Sequence, residues 1–329
     1  MGRFDGGGAR TQTSASGVRR WALLALALIG IGLVAAPFAF GMFEKGPKGA
    51  QMMEEFKPFM TDARLSGFQG HLRTIDSGVR QAHGRAAVTL EGHGAAAHER
   101  FGERFASFAQ FDADWPPIHA DMTDLMDKIR ANVANYEAMV ALPSFRLFPW
   151  FFVIPGALVA LLALVAVVAP GSWRASRWAI AAIGIGLVVA PVAFQMFDRG
   201  PKGAQMMKTF ETIETRPKVE RIQGYFGTIA VGQGALRLEI VPALRRSGLS
   251  SADIAERFPD VVALDRRWIA ILNDMTPMIG AMSDNVDNYQ ALTSLPSFEL
   301  FPWFFLAPGM LIAGLALAAG RFTSPRTAS

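Results

Sequence analysis

The chain has 329 residues, of which 51% are hydrophobic and only 18% charged, with a formal net charge of +4 and no cysteine. A soluble chain would carry about a quarter charged residues, so this composition excludes a disordered protein and indicates membrane-spanning segments. The lack of cysteine also excludes disulfide-stapled miniproteins, thiol-dependent enzymes and cysteine-ligated metal sites.

Four stretches of the chain contain no charged residue. Each is long enough, at about 20 residues, for a helix to cross a hydrocarbon core of ~30 Å. Backbone polar groups in a bilayer must be satisfied within a helix or a closed barrel, and these runs lack the two-residue alternation of barrel strands. The sequence therefore predicts transmembrane helices at residues 21–43, 147–170, 178–197 and 300–320.

Charge divides the segments that flank these spans. Residues 1–20, 171–177 and 321–329 contain eight arginines and one acidic residue, so they carry a net charge of +7, and the rest of the chain carries −3. The positive-inside rule places these segments in the cytoplasm and the long segments 44–146 and 198–299 outside. We therefore expect a cell-membrane protein with cytoplasmic termini, and the 1–20 tail, rich in Gly, Ser and Thr, is expected to be disordered.

The strongest feature is an internal repeat. GIGLVAAPFAFGMFEKGPKGAQMM, from Gly30, returns as GIGLVVAPVAFQMFDRGPKGAQMM from Gly184, and NVANYEAMVALPSFRLFPWFFVIPG, from Asn132, returns as NVDNYQALTSLPSFELFPWFFLAPG from Asn285. Matching positions are 154 residues apart in the first pair and 153 apart in the second. The repeat predicts a tandem duplication of one unit of span, outer domain and span. Both copies then have the same orientation, and the chain is an intramolecular pseudo-dimer.

The outer segments have a helical periodicity. Apolar residues recur at steps of three and four within Leu65–Val79 and Ile118–Val140, and matching series follow in the second copy. This spacing is typical of helices packed at a shallow angle. We expect each copy to fold as a bundle of three or four helices with a long last helix at Trp115–Ala141, and the alternative for Val88–Leu90 is a short strand. The predicted fold is an all-α integral membrane protein with four transmembrane helices and two extracytoplasmic helical-bundle domains.

Two further patterns mark the ends of the spans. GPKGAQMM resembles a glycine-rich phosphate loop only in part, because the P-loop spacing and a preceding strand are missing. The preferred interpretation is a turn just outside the span, with Lys48 and Lys202 facing lipid headgroups. Trp150 and Trp303 lie in aromatic runs that are expected at the outer membrane interface.

The spans contain no ionisable residue, which disfavours a proton or ion pathway. Small residues spaced four apart predict close helix packing and a tight four-helix core in preference to a wide channel. The predicted pairs are Gly32 with Ala36, Gly156 with Ala160, Gly186 with Ala190, and Gly309 with Ala313.

Polar residues shared by both copies are the candidate ligand or partner site. They could bind a polar ligand, a lipid headgroup or a partner protein, and the alternative is that they cap helices and form hydrogen bonds between bundle helices. These residues are Asp112, Asp121, Thr123, Asn132 and Asn135 in the first copy, and Asp265, Asp274, Thr276, Asn285 and Asn288 in the second.

All five histidines lie in the first outer segment, which raises the possibility of a metal site. The residues for it would be His93 and His98 with Glu99 or Glu103. Their spacing matches no strong zinc signature, so solvated surface histidines are the preferred interpretation, and we expect no metal and no cofactor.

The sequence points to a binding protein in the membrane and not to an enzyme. No catalytic triad, carboxylate pair or nucleotide motif stands out, and we expect no nucleic-acid partner. The plan of span, helical domain and span resembles the ectodomain plan of bacterial chemoreceptor-type sensors, although the inner loop is too short for a signalling domain. The first hypothesis is that the outer domains bind a partner protein or small ligand, for sensing or scaffolding. The alternative is a transporter, or an accessory subunit of one, for an apolar or lipid-like substrate.

Overall fold

The computed structural model describes residues 9–321, and every regular element in that range is helical. This result confirms the predicted all-α class, and Val88–Leu90 is helical and not a strand. The α-helices are α1 Ala9–Ala39, α2 Met42–Phe56, α3 Asp62–Gln81, α4 Ala87–Glu91, α5 Ala95–Arg104, α6 Ala106–Ala131, α7 Val133–Val140, α8 Trp150–Val168, α9 Trp173–Ala193, α10 Met196–Phe210, α11 Arg216–Ala235, α12 Val241–Arg246, α13 Ser251–Arg257, α14 Pro259–Thr293 and α15 Phe301–Arg321. Single π-helical turns follow α3 at Ala82–Ala86 and α11 at Leu236–Ile240.

The described residues form two compact units, and each unit takes segments from both halves of the chain. Residues 9–52, 135–207 and 288–321 form the first, called the membrane unit below. Residues 53–134 and 208–287 form the second, called the bundle unit. Both outer segments contribute to this one unit, whereas the sequence predicts a bundle for each copy.

The membrane unit contains four helical segments that are long and apolar enough to cross a bilayer, as predicted. They are Arg19–Ala39, Trp150–Val168, Pro170–Ala193 and Phe298–Ala319. Residues 9–20, for which the composition predicts disorder, continue the first span as part of α1. The remainder of that predicted tail, residues 1–8, and residues 322–329 of the second tail lie outside the described residues.

The spans pack in two close pairs, α1 with α8 and α9 with α15. A Cβ atom added at Gly30 would come within 2.6 Å of the Gly156 carbonyl oxygen, so only glycine permits this approach. The pair Gly184 and Gly309 repeats the arrangement. The predicted contacts at Gly32 and Gly186 are wrong, since a Cβ atom at either would meet no other atom within 4 Å. Two residues along a helix are about 200° apart around its axis, so these glycines lie on the opposite face.

Aromatic rings at matching positions meet in the membrane unit. The ring centroids of Phe148 and Phe301 are 5.4 Å apart, and those of Phe152 and Phe305 are 4.7 Å apart. Phe145 and Phe298 are 5.6 Å apart. A residue contacts its own counterpart only near the twofold axis of a self-complementary interface, so the two halves of the membrane unit are related in this way.

The chain changes direction before the GPKG sequence and not within it. Gly41 and Gln195, at matching positions, have left-handed backbone conformations with φ of 64° and 54°, and α2 and α10 begin directly after them. The GPKG sequence itself is helical in both halves, so the prediction of a turn there is wrong. Its glycines serve packing, because a Cβ atom at Gly46 would lie 2.6 Å from the carbonyl oxygen of Phe145.

The bundle unit is built from reciprocal contacts between the halves. Helix α6 packs against α3 of its own half and against α11 of the other. A Cβ atom at Gly78 would come within 2.9 Å of the Leu264 side chain, and Gly232 faces the matching residue, Phe111, in the same way. Each glycine leaves room for a large apolar side chain of the other half.

The last helix of the first half differs from its prediction. The sequence predicts one helix at Trp115–Ala141, but α6 begins at Ala106 and ends at Ala131, and α7 follows after Asn132. Asn132 caps α6 with φ and ψ of −106° and 2°, outside the helical range. The matching helix of the second half, α14, is continuous.

The glycine contact between α1 and α8 can be tested with a matched pair of substitutions. Gly30→Ala should lower the free energy of unfolding by about 1–3 kcal/mol, because the added methyl group collides with backbone atoms. Gly32→Ala should leave it unchanged or raise it slightly, because alanine is the better helix former and the space is open. Thermal unfolding of the full chain in detergent micelles measures both, and equal effects of the two substitutions would contradict the assigned contact.

Candidate functional site

Asp121, a predicted ligand residue, binds side chains of the other half of the chain. Its carboxylate accepts hydrogen bonds from Lys218 Nζ and from the hydroxyl of Tyr225, the latter at 2.7 Å. Lys218 and Asp121 are mostly buried, with side-chain exposures of 15% and 22%. Both charges are thus largely removed from water and interact with each other in its place.

Asp274, which matches Asp121, makes the reciprocal contacts. Arg64 Nη1 donates to its Oδ1 over 3.0 Å, and His71 Nε2 lies 2.9 Å from its Oδ2. Arg64 and His71 occupy the positions that match Lys218 and Tyr225. Each half therefore supplies one carboxylate and two partner side chains to the other half.

These contacts set the protonation of both carboxylates. Burial of Asp121 opposes its ionisation, but the hydrogen bonds from Lys218 and Tyr225 outweigh burial and lower its pKa. The hydrogen bond from His71 is the largest influence on Asp274 and lowers its pKa, with a further contribution from Arg64. Both groups are thus held as carboxylates, the form that suits an ion pair and not a general acid.

The other two predicted aspartates pair within their own halves. Asp112 Oδ2 lies 2.6 Å from Nδ1 of His83. Asp265 accepts a hydrogen bond of 3.2 Å from Gln233 and lies 3.6 Å from Nε of Arg237. The two positions match in sequence but have different partners.

Three of the predicted threonine and asparagine residues form hydrogen bonds inside the protein. Thr123 and Asn132 donate to the carbonyl oxygens of His119 and Lys128, one turn earlier. Asn285 is completely buried and donates to Glu55 over 2.6 Å and to the carbonyl oxygen of Ala281. Asn135 and Asn288 are buried, whereas Thr276 is exposed. The contact of Asn285 with Glu55 supports the alternative of hydrogen bonding between bundle helices, and Asn132 caps α6, whereas the Thr123 contact lies within α6.

The histidines do not assemble a metal centre within residues 9–321, where no three His, Asp or Glu side chains converge. His98 lies beside His83, with ring centroids 5.4 Å apart, and its Nδ1 is 3.2 Å from the carbonyl oxygen of Gly94.

The predicted interface residues are exposed and locally paired in the membrane unit. Lys48 and Lys202 form ion pairs with the acidic residues four positions earlier, at 2.9 and 2.7 Å. Trp150 and Trp303 are about half exposed, and each presents a face or edge to a phenylalanine of its own half. This arrangement leaves an indole ring and an ammonium group of each half at the surface.

The membrane unit contains an apolar cleft that the sequence did not predict. It has a volume of about 260 Å³ and lies between α1, the start of α8 and α15. Pro37, Phe40 and Phe152 line it from the first half, and Phe305 and Pro308 line it from the second half. Proline gave no specific signal for the cleft, because each of the four spans contains one.

The bundle unit contains a polar groove with a volume of about 940 Å³. Its lining includes three arginines and a histidine, but one carboxylate, that of Asp260. The arginines come from both halves: Arg80 and Arg85 from the first and Arg257 from the second. None of the ten predicted ligand or partner residues lines this groove or the apolar cleft, but Trp303 of the predicted interface lines the cleft and His98 lines the groove.

Comparison with known proteins adds no relative. No protein family matches the chain, and a search of curated proteins finds no match. Any statement of function therefore rests on the geometry of the cleft, the groove and the paired carboxylates.

The ion pair between the halves can be tested at Asp121. Asp121→Asn should lower the free energy of unfolding by about 1–3 kcal/mol, because it leaves the Lys218 ammonium buried without its carboxylate. The matched control is Asp124→Asn, since Asp124 is half exposed and pairs with Lys128 on the same helix. Its effect should stay below about 0.5 kcal/mol.

Denaturant unfolding of the purified full chain, followed by tryptophan fluorescence, measures both variants. Because the folded-state pKa of Asp121 is lowered, its stabilisation is present above the unfolded-state value of about 3.9 and is lost as pH falls below it. The difference between wild type and Asp121→Asn should shrink accordingly. A difference independent of pH would count against the ion pair.

Proposed function

We propose that this chain is a multi-pass protein of the cell membrane that binds an apolar, lipid-like molecule. The observation that carries this proposal is the cleft in the membrane unit, whose lining residues are all apolar. Water in such a cleft gains no hydrogen bonds from the lining, so an apolar occupant is favoured. Its volume of about 260 Å³ lies just below the ~300–1,000 Å³ of small-molecule sites, which suits part of an acyl chain.

The helices around the cleft support a lipid as the source of that chain. The cleft is lined by α1, α8 and α15, all of which include candidate membrane spans. The residues that line the cleft carry no charge, so an ion or a strongly polar solute would find no partner there. A transporter for a lipid-like substrate, or an accessory subunit of one, is the wider role that we infer.

We further propose the orientation and origin of the chain. The excess of arginine in residues 1–20, 171–177 and 321–329 supports cytoplasmic termini and extracytoplasmic segments 44–146 and 198–299. The sequence repeat and the reciprocal contacts support a tandem duplication that produced an intramolecular pseudo-dimer. In this proposal the protein is embedded in the lipid bilayer, which is its first interaction partner.

The cleft can be tested by filling it. Ala36→Trp places a large ring in the cleft and should reduce labelling by a photoreactive fatty acid at least tenfold in detergent micelles. Leu158→Trp adds the same ring on the exposed face of α8 and should leave labelling unchanged. Mass spectrometry of the labelled peptides should place the adduct on residues that line the cleft.

Two results would count against this function. One is equal labelling of the two tryptophan variants, and the other is an adduct spread evenly over all four spans. Flux of a fluorescent lipid across liposomes that contain the purified wild type would extend the proposal from binding to transport.

A second candidate function is that the bundle unit binds an acidic ligand or partner protein, for sensing or scaffolding. It is favoured by the groove, where Arg80, Arg85 and Arg257 outnumber the single carboxylate of Asp260. Guanidinium groups bind carboxylates and phosphates through paired hydrogen bonds. The Asp and Asn residues that the sequence suggested for this role have internal partners, so we assign the role to the groove.

Site-specific photo-crosslinking in native membranes tests the groove. A photoreactive amino acid at Thr89, in the groove, should give a specific adduct, and Arg85→Glu should abolish that adduct by reversing the charge. The same probe at Leu238, which is 73% exposed and outside the groove, should give none. Identical adducts from both positions, or none from either, would exclude this candidate.

A further inference from the structure

Glu214 is a carboxyl side chain buried in the interior of the bundle unit. It follows α10 and is 1% exposed, and neither of its carboxyl oxygens has a hydrogen-bond partner within residues 9–321. A buried polar group without a partner costs about 1–3 kcal/mol, and more if it is charged. Such a group calls for a physical explanation.

The carboxyl group lies in an apolar chamber where the two halves meet. Phe56 and Phe210, at matching positions, contact each other there with ring centroids 5.8 Å apart. Ile129 and Met282, a second matching pair, also line the chamber. The residue that matches Glu214 is Met60, which is buried in the same lining. One side of the chamber thus has a thioether where the other has a carboxyl group.

The chamber has room for nothing larger than a proton or one water molecule. Its volume is about 10 Å³, at the lower limit for a single water. It therefore does not suit an organic ligand or a hydrated cation. The simplest species that can satisfy the carboxyl group in place is a proton, which removes the charge.

No countercharge reaches the chamber from the elements that surround it. Its lining comes from α2, α6, α10, α14 and the segments that follow α2 and α10, and apart from Glu214 it contains only Phe, Met and Ile. The ionisable residues closest to these lining residues in sequence lie outside the lining. Glu55 binds Asn285, Lys128 pairs with Asp124, and Arg130 donates to Gln69 and Ser66. The remaining three, Lys57, Glu211 and Asp284, are exposed.

We propose that Glu214 is a proton-binding site that controls the packing of the two halves in the bundle unit. The protonated carboxyl group fits the apolar chamber as Met60 does on the other side. Loss of the proton to solvent leaves a carboxylate that must reach water, and it does so by loosening the contact between the matching phenylalanines. The bundle unit then responds to the pH of the compartment around it.

The sign of the response follows from burial. Desolvation raises the pKa of Glu214 from 4.5 to about 9, so the group is protonated at neutral pH. Because the folded-state pKa lies above the unfolded-state value, the native state is favoured most below pH 4.5 and loses stability as pH rises towards 9. In that interval one proton is linked to folding, so the ratio of folded to unfolded protein should fall about tenfold for each pH unit.

The test measures stability against pH for the full chain in detergent micelles. The free energy of unfolding of the wild type should fall between pH 5 and pH 9, with a slope that corresponds to the release of about one proton per molecule on unfolding. Glu214→Met, which copies Met60, should remove that dependence, and Glu211→Gln, at the exposed acid three residues earlier, should preserve it. Identical pH profiles for wild type and Glu214→Met would overturn the proposal.

Infrared spectroscopy of the wild type gives a second readout that does not depend on the folding of a variant. A protonated carboxyl group in an apolar chamber has a C=O stretch separate from that of carboxylates. The proposal predicts this band at pH 7 and its disappearance above about pH 9. Its absence at pH 7 would also overturn the proposal.

Discussion

Side chains at matching positions of the two halves contact each other, and the structure depends on this constraint. Phe148 meets Phe301 in the membrane unit, and Phe56 meets Phe210 in the bundle unit. Away from these self-contacts the interactions are reciprocal, as with the ion pairs of Asp121 and Asp274. A self-complementary dimer interface has this form, here within one polypeptide. These contacts explain why the two outer segments form one unit: the carboxylates of each segment pair with side chains of the other half, and its glycines leave room for side chains of the other half.

The polar groove and the chamber around Glu214 both contain residues at which the halves differ. A chain with two identical halves would have a methionine or a carboxyl group at both Met60 and Glu214, and not one of each. The histidines are confined to the first half, and the groove combines arginines from both halves in unequal numbers. The matching residues therefore build a common frame, whereas the unmatched ones provide the chemistry that we assign to the chamber and the groove.

The sequence predicted well what depends on composition and periodicity. Charge-free runs gave the four apolar helices, and steps of three and four gave helices in the outer segments. It failed where the outcome depends on which face of a helix meets a neighbour. The spacing of small residues indicates Gly32, which has Ala36 four positions later, and not Gly30, which has Val34 there, so only the tertiary contact shows that Gly30 is the packed glycine. The GPKG sequence contains residues typical of turns, but the left-handed turn falls at Gly41, before it.

The candidate site shows the same limit. The shared aspartates Asp121 and Asp274 contact side chains of the other half, but the sequence left open whether the shared residues bind a ligand or each other's helices. Glu214 gave no signal, because a carboxylate next to Ile213 and Thr215 reads as an ordinary solvated residue. Its burial follows only from the meeting of Phe56 and Phe210 around it. The apolar cleft likewise needs three helices from different parts of the chain.

The most direct test of the account is to divide the chain within the short loop between its two halves. Residues 1–171 and 172–329 would be produced as separate polypeptides in one cell, with an affinity tag on the first only. Because each half completes the other through reciprocal pairs, we expect the tagged half to co-purify the untagged half in a one-to-one ratio, and neither half to be stable when produced alone. Stable, independently folded halves that do not co-purify would contradict it.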